Sequence, residues 1–224
     1  MDQIYQTLIY QDRWEWYVEG VGRTLLISLG AIAIGIVLGI IVALIKYIHK
    51  KYGNFKVGAV ICDGYLTIFR GTPVYVQLLI MYLIVLVFAP TEWVAIITFG
   101  INSGAYVAEI IRGGLESVDD GQLEAGASLG LSKFQVMIHI VLPQGFRRAL
   151  PSLFNEFIAL VKETSIVGTI GVIDITKVAA RIVARTYEPF VPYIVSALIY
   201  LVIVLVLTQL LKLLERRLAK GDRQ

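Results

Sequence analysis

The sequence predicts an all-α protein that crosses a membrane several times, and three observations predict it. Hydrophobic residues make up 57% of the 224 residues and charged ones only 17%, with a mean hydropathy of +0.75. A soluble domain of this length is less apolar and more charged. The stretches 24–45, 71–91 and 189–211 contain no charged residue, and each supplies the roughly 20 residues a helix needs to cross the hydrocarbon core. Between the apolar stretches, basic residues recur in alternate connections, which is how a multi-pass chain is oriented.

The elements follow in order. The first twenty residues form a polar, aromatic arm, with Trp14, Trp16 and Tyr17 suited to a membrane interface. No cleavable signal peptide is expected: the first apolar run is too long for one, and no small-residue cleavage site follows it. The first helix runs from about 22 to 48. The second begins near Phe55, lies at the interface as far as Arg70, and bends at Gly71-Thr72-Pro73 before its apolar part. A turn at Pro90-Thr91-Glu92 leads to the third helix. Its charge-free part, 93–108, is short, so it spans only if Glu109 and the following Ile110-Ile111 sit in or near the bilayer. The fourth apolar segment, 149–165, carries Glu156, Lys162 and Glu163, and is counted as a crossing because the topology requires a return there. A loop over 169–188 leads to the fifth helix.

Five crossings place the ends on opposite sides. Lys46, Lys50, Lys51 and Lys56, then Arg112, Lys133, Arg147 and Arg148, then Arg216, Arg217, Lys220 and Arg223 all fall on one side. The positive-inside rule makes that side cytoplasmic, with the N-terminus outside and the C-terminus inside. Lys177, Arg181 and Arg185 in the 169–188 loop weaken the bias. Net charge +3 therefore reads as orientation, not nucleic-acid binding. No repeat or long linker divides the chain, which is expected to be a single domain over 1–224 with its core at about 20–215. The one cysteine, Cys62, excludes an internal disulfide and reads as a small packed residue. His49 and His139 have no partner at metal-ligand spacing, so no metal is expected.

The loop of about 122–145 is the most informative segment. It is polar, yet it lies between apolar segments. Glu124 opens a short helical stretch that Gly130 closes in the left-handed conformation. Ser132 caps a second piece, 133–141, which Pro143 stops. Loops of this length usually carry function.

These residues resemble a known signature. Glu124-Ala125, Gly130 six positions after the glutamate, and Ile140-x-Leu142-Pro143 reproduce the EAA loop of ATP-binding-cassette import permeases, E-A-A-x3-G-x9-I-x-L-P. Gly126 replaces the second alanine, which loosens the first helix by roughly 0.5–1 kcal/mol. Phe69-Arg70-Gly71-Thr72-Pro73, Gly104-Ala105-Tyr106-x-Ala108-Glu109-x2-Arg112-Gly113-Gly114, Gly121-Gln122-x-Glu124-Ala125 and Asn155-Glu156-x5-Lys162-Glu163-Thr164-Ser165 are similar to the polar-amino-acid branch of these permeases. The likeness extends from about Gly20 to the C-terminus. It implies a non-catalytic permease subunit in a bacterial inner membrane, paired with a second permease, identical or homologous. It further implies a cytoplasmic ATPase dimer that binds ATP and Mg, and an extracytoplasmic solute-binding protein. Coupling to the ATPase falls on Glu124, Ala125, Ser128, Leu129, Gly130, Leu131, Ile140, Leu142 and Pro143. The chain itself has no phosphate-cradling G-x4-G-K-[ST] loop, so no cofactor is expected in it.

An amino acid carries an ammonium and a carboxylate, so its path needs polar groups at membrane depth, where they are costly and mark function. Asn102, Tyr106 and Glu109 stand at i, i+4 and i+7 and share one helix face, which Gly113 continues. Glu156 and Glu163 are seven apart, as are Asn155 and Lys162. These stripes, with Thr164, are the candidate lining of the route. Glu109 and Glu163 suit an ammonium or a cationic side chain, and Lys162 and Thr164 suit a carboxylate or hold the glutamates. A structural reading stands beside this one, with Glu109 paired to Arg112 and Asn155 joining helices. The two glutamates lean towards a basic substrate and Lys162 blunts that lean. A self-contained ion channel or secondary transporter, a membrane scaffold, and a permease for another zwitterion such as an opine are the alternatives. The first two leave the docking loop or the polar stripes without a purpose.

Overall fold

The computed structural model describes residues 2–221. Met1 and residues 222–224, including Arg223 of the C-terminal basic group, lie outside the described residues. Helices account for all regular structure among the described residues, as the composition requires. Short helical turns over 2–12 lead into α1 (Arg13–Tyr52). The chain continues through α2 (Lys56–Gly71), α3 (Val74–Ile80, extended by a π-turn over Met81–Val85), α4 (Thr91–Glu116), α5 (Asp120–Ser128), α6 (Lys133–Val136, extended by a π-turn over Met137–Val141) and α7 (Leu142–Glu163). After a 3₁₀ stretch, Thr164–Ile170, come α8 (Ile175–Thr186) and α9 (Phe190–Gly221).

Three helices are long and apolar enough to cross a membrane, or up to four where the pair α2 with α3, bent at its break, is counted as one span. The break falls where the sequence predicts it: Thr72 is extended (φ −121°, ψ 147°) and Pro73 cannot donate to a continuing helix. Segment 149–165, expected as a further crossing, lies in α7 as far as Glu163 and ends in the 3₁₀ stretch; α7 carries Arg147, Arg148, Glu156, Lys162 and Glu163 and is not among the helices apolar enough to cross. In α4, 72% of the apolar window is buried, against 11% in α9. The side chains of α9 such as Leu198, Leu201, Val202, Leu205 and Val206 are exposed to the surroundings, as a lipid-facing helix requires.

Three expectations change. The 169–188 loop holds α8, a twelve-residue helix. Its apolar positions Ile175, Val178, Ala179 and Ile182 are all buried, at the i, i+3, i+4, i+7 spacing of one helix face. Pro143 does not stop the helix that precedes it. The π-turn places the Leu142 amide on the Met137 carbonyl, and α7 begins there. The wider turn relieves the clash a proline ring would otherwise make with the preceding turn. Tyr17 is not an interface residue, since it is 3% exposed and its hydroxyl donates to the Pro192 carbonyl at 3.1 Å.

The chain clusters into two compact units. The first comprises the chain up to Ala33, with 73–100 and 157–210. Its core is Tyr17, Ile175, Val178 and Ile182, flanked by Val21, Val195, Ile199 and Ile203. Asp174 is fully buried there. It caps α8 by accepting from the Thr176 and Lys177 amides at 3.1 and 2.9 Å, and it accepts from the Tyr200 hydroxyl at 3.1 Å. Burial pushes its carboxyl above the usual carboxylate range, against those donors.

The second unit comprises 34–72, 101–156 and the chain from Leu211. Val42, Cys62, Leu66, Ala105 and Ala108 form its core, with Tyr65 and Phe69 against them. Here α1 and α4 approach closely enough that a Cβ on Gly39 would stand 2.4 Å from Val107 Cγ1 and 2.9 Å from the Ala108 nitrogen. The Gly35-x3-Gly39 pair thus serves packing within the chain.

Two predictions follow from these cores. Gly39→Val should lower stability by about 1–3 kcal/mol through overpacking, while Gly113→Ala, with open space around it, should not; thermal unfolding of purified protein compares them. Asp174→Ala should cost about 1–2 kcal/mol by loss of the cap, and Asp174→Asn much less. Because the folded carboxyl titrates above its unfolded value, its contribution is full in acid and is lost as pH rises through the folded pKa. Asp174→Asn should remove that component from a stability-versus-pH curve.

Candidate functional site

The loop after α4 is held by local chemistry at every turn. Asp119 caps α5 by accepting from the Gly121 amide at 2.6 Å. At the other end Gly130 has φ +79°. Its amide donates to the Ala127 carbonyl at 3.0 Å, and the Leu131 amide to the Gly126 carbonyl at 3.1 Å. This pair of bonds is a Schellman closure, and the left-handed residue it needs is the predicted glycine. Ser132 then opens α6 with a capping box. It accepts from the Gln135 amide at 3.3 Å, and its own amide donates to Gln135 Oε1 at 2.8 Å.

Gly126, the departure from the signature, has a packing reason. It is buried, and a Cβ there would lie 2.9 Å from Ile140 Cδ1 and 3.0 Å from Val136 Cγ2. The missing methyl lets the two halves of the loop close on each other. Ion pairs Lys50–Glu116 (3.1 Å) and Lys51–Asp120 tie the end of α1 to the loop's root. Lys133 Nζ sits 5.0 Å above the Tyr52 ring. A cavity of about 370 Å³ lies among Tyr52, Leu123, Glu124, Leu131 and Lys133.

Of the predicted coupling residues, Glu124, Ala125, Ser128, Leu129, Gly130 and Pro143 are exposed, and Leu131, Ile140 and Leu142 are half-buried. Leu129 is 81% exposed and Phe134 72%. Phe134 escaped the sequence reading. Its signal was an aromatic residue just inside a capped, otherwise polar helix start.

The predicted lining residues are divided between the two units. Asn102, Tyr106, Glu109, Asn155 and Glu156 belong to the second unit, while Lys162, Glu163 and Thr164 belong to the first. Asn102 is buried and donates to the Phe69 carbonyl at 2.9 Å. Glu156 accepts from the Ser103 hydroxyl at 2.7 Å, which ties α7 to α4. Asn155, Lys162 and Glu163 are exposed, and Thr164 is buried with its hydroxyl on the Val161 carbonyl at 2.8 Å.

Glu109 is the centre of the arrangement. Arg112 Nη2 lies 2.6 Å from its Oε2, as the spacing predicts, and Arg70 Nη1 lies 3.9 Å away. The Arg70 guanidinium stands 5.6 Å from the Tyr106 ring centroid. An open groove of about 430 Å³ is lined by Lys46, Asp63, Leu66, Thr67, Arg70 and Glu109. Lys46 and Asp63 are themselves an ion pair. Arg70 thus meets the Glu109–Tyr106 face. Lys46 and Asp63 were missed as site residues because nothing in their local pattern reveals a partner on another helix. Two cations and two anions line one groove, so it offers both signs of charge to a ligand that carries both.

A helical, membrane-embedded chain with a capped, outward-facing loop and a charged groove is the transmembrane subunit of a transport system. It belongs to the family of binding-protein-dependent transport system inner membrane components, whose model matches residues 24–220. The chain is 39% identical over 209 residues to the arginine transport system permease protein ArtQ of Bacillus subtilis, covering 92% of this chain and 93% of the relative. It is 40% identical over 210 residues to a putative glutamine transport system permease protein GlnP of Rickettsia bellii (90% and 92% covered). With the GlnP protein of Escherichia coli K12 the identity is 35% over 206 residues (90% and 92%). A crystal structure of an amino acid ABC transporter with histidines superposes with TM-score 0.84 at 39% identity, covering 91% of this chain and 94% of that one. An inward-facing MetNI methionine ABC transporter shares the fold, with TM-score 0.80 at 17% identity and coverage of 92% and 97%.

Gly130→Val should put a β-branched residue in the left-handed region at about 1–2 kcal/mol. The loop should then fray, seen as faster tryptic cleavage after Lys133 with little change in global unfolding temperature. Unaltered cleavage would mean that the closure does not hold the loop.

Proposed function

We propose that this chain is the permease subunit of an ATP-driven importer of polar amino acids, including basic ones. The observation that carries the substrate class is the groove around Glu109, whose paired charges match the ammonium and carboxylate of a zwitterion. Relatives named for arginine and glutamine transport support it. Asn102, Tyr106, Glu109, Asn155, Glu156, Lys162, Glu163 and Thr164 are the candidate route, to which Arg70, Lys46 and Asp63 are added. Glu109 receives the ammonium or a cationic side chain, and Arg70 the carboxylate.

ATP and Mg are bound and hydrolysed in a partner ATPase dimer. The loop Glu124–Pro143 docks there, with exposed Leu129 and Phe134 as its apolar contacts. The assembly contains a second permease, identical or homologous, and an extracytoplasmic solute-binding protein, in a bacterial inner membrane. The chain is one permease domain with five crossings, N-terminus outside, of which α7 is the charged one. Transport is by alternating access, with nucleotide binding in the partner pulling on the loop between α4 and α7.

The test is ATP turnover of the purified assembly. Arginine or glutamine with the binding protein should stimulate it. Glu109→Gln and Arg70→Gln should each weaken that response about 10- to 100-fold in apparent affinity, the effect of losing a hydrogen bond to a charged group. Full stimulation in both variants would remove the groove from the route. Uptake that continues without nucleotide would return the channel or secondary transporter.

A further inference from the structure

In the first unit, three arginines surround one indole. The Arg181 and Arg185 guanidiniums lie 4.6 and 4.8 Å from the Trp16 ring centroid, and that of Arg13 lies 5.9 Å away and 5.0 Å from the Tyr10 ring. None of the three makes an ion pair among the described residues. An aromatic face attracts a cation but carries no net charge, so the three positive charges are left without an anion. Arg13 is only 3% exposed. Its Nη1 donates to the Gln6 carbonyl, while its Nε is buried with no partner. A buried donor of this kind is uncommon and calls for one.

Arg13 and Arg185 line a cavity of about 400 Å³ together with Gln3, Gln6, Thr7, Tyr10, Thr186 and Glu188. The Thr7 and Thr186 hydroxyls already donate to the Gln3 and Ile182 carbonyls, so the donors left for a tetrahedral oxyanion are the two side-chain amides, the Tyr10 hydroxyl and two guanidiniums, and guanidinium binds phosphate through paired hydrogen bonds. Glu188 is the single acidic side chain among them. Sequence neighbours of the lining residues are apolar or aromatic and strongly exposed: Ile4 57%, Ile9 56%, Tyr187 86% and Phe190 71%. A free anion has no use for such a rim, whereas a phosphate carrying acyl chains does.

We propose that this cavity is a binding site for the head group of an anionic phospholipid. Arg13 and Arg185 hold the phosphate, Arg181 adds positive potential, and the arm 2–12 with Tyr187 and Phe190 contacts the chains. The lining shares no residue with the charged groove or with the loop 122–145. Occupancy would anchor the N-terminal arm against α8.

The test uses the assembled transporter in detergent, with phosphatidylglycerol, phosphatidylcholine or inorganic phosphate added, read by thermal unfolding and by mass spectrometry of retained lipid. The wild type should be stabilised by phosphatidylglycerol and not by phosphatidylcholine. The doubly substituted Arg181→Gln/Arg185→Gln protein, which keeps the buried Arg13, should bind phosphatidylglycerol roughly tenfold more weakly. Arg13→Lys keeps a charge but loses the fork, and should weaken retention too. Equal retention by wild type and the double variant would overturn the site. Protection by inorganic phosphate alone, with lipid adding nothing, would overturn the lipid assignment in favour of a soluble anion. If the double variant keeps its lipid but loses stimulation by the binding protein, the cluster is a contact for an acidic protein surface and the proposal fails.

Discussion

Hydrocarbon offers no hydrogen-bond partner, so each backbone amide and carbonyl at membrane depth must be satisfied by the chain itself. Much of this structure follows from that constraint. The long segments are helices because only a helix satisfies its own backbone within one segment. Hydroxyls inside them turn back onto the preceding turn, as Ser28 does onto the Thr24 carbonyl (2.8 Å), Thr98 onto Val94 (2.7 Å) and Thr208 onto Val204 (2.7 Å). The break between α2 and α3 strands carbonyls in the last turn of α2, and one of them, on Phe69, is met by Asn102 of α4. Asn102 was predicted to line a route, and it also supplies the bond that lets the second helix break.

The same scarcity of partners governs the charges. Lys46, Lys50 and Lys51 are each paired with a carboxylate of another helix. Glu109 is held between Arg112 and Arg70, and Arg112 also reaches Glu116 at 2.9 Å. On the proposed function, a zwitterion would enter such a network by exchanging partners instead of leaving any charge bare. The loop 122–145 is built by the opposite means. Its caps, its Schellman closure and the close packing at Gly126 are short-range, so the loop keeps its shape while presenting Leu129 and Phe134 outward.

Where the sequence was legible, the signal was local. The break at Gly71-Thr72-Pro73, the closure at Gly130 and the cap at Ser132 each depend on residues within a few positions of one another, and each was read correctly. Helix α8 obeyed the same local rules, with Asp174 as its cap and buried residues at helical spacing. It was read as a loop because it falls between the segments counted as crossings. Pro143 misled because a proline's effect depends on the width of the turn before it, and a π-turn is not visible in a sequence. Tyr17 misled because aromatic residues near a membrane surface look alike whether they face lipid or a neighbouring helix.

By itself, the sequence determined the class of protein, the all-helical answer, the caps and the glycine closure of the loop 122–145 and the faces on which polar residues stand, since composition and spacings of three, four and seven residues are properties of one segment. Only the tertiary structure decided that Arg70 meets Glu109, that Lys46 and Asp63 share their groove, that the glycine at 126 makes room for Ile140, and that three arginines converge on Trp16. Each of these depends on which helices pack together and at what rotation. That choice is set by the sum of many contacts distributed along the whole chain, and no single stretch of it carries the information.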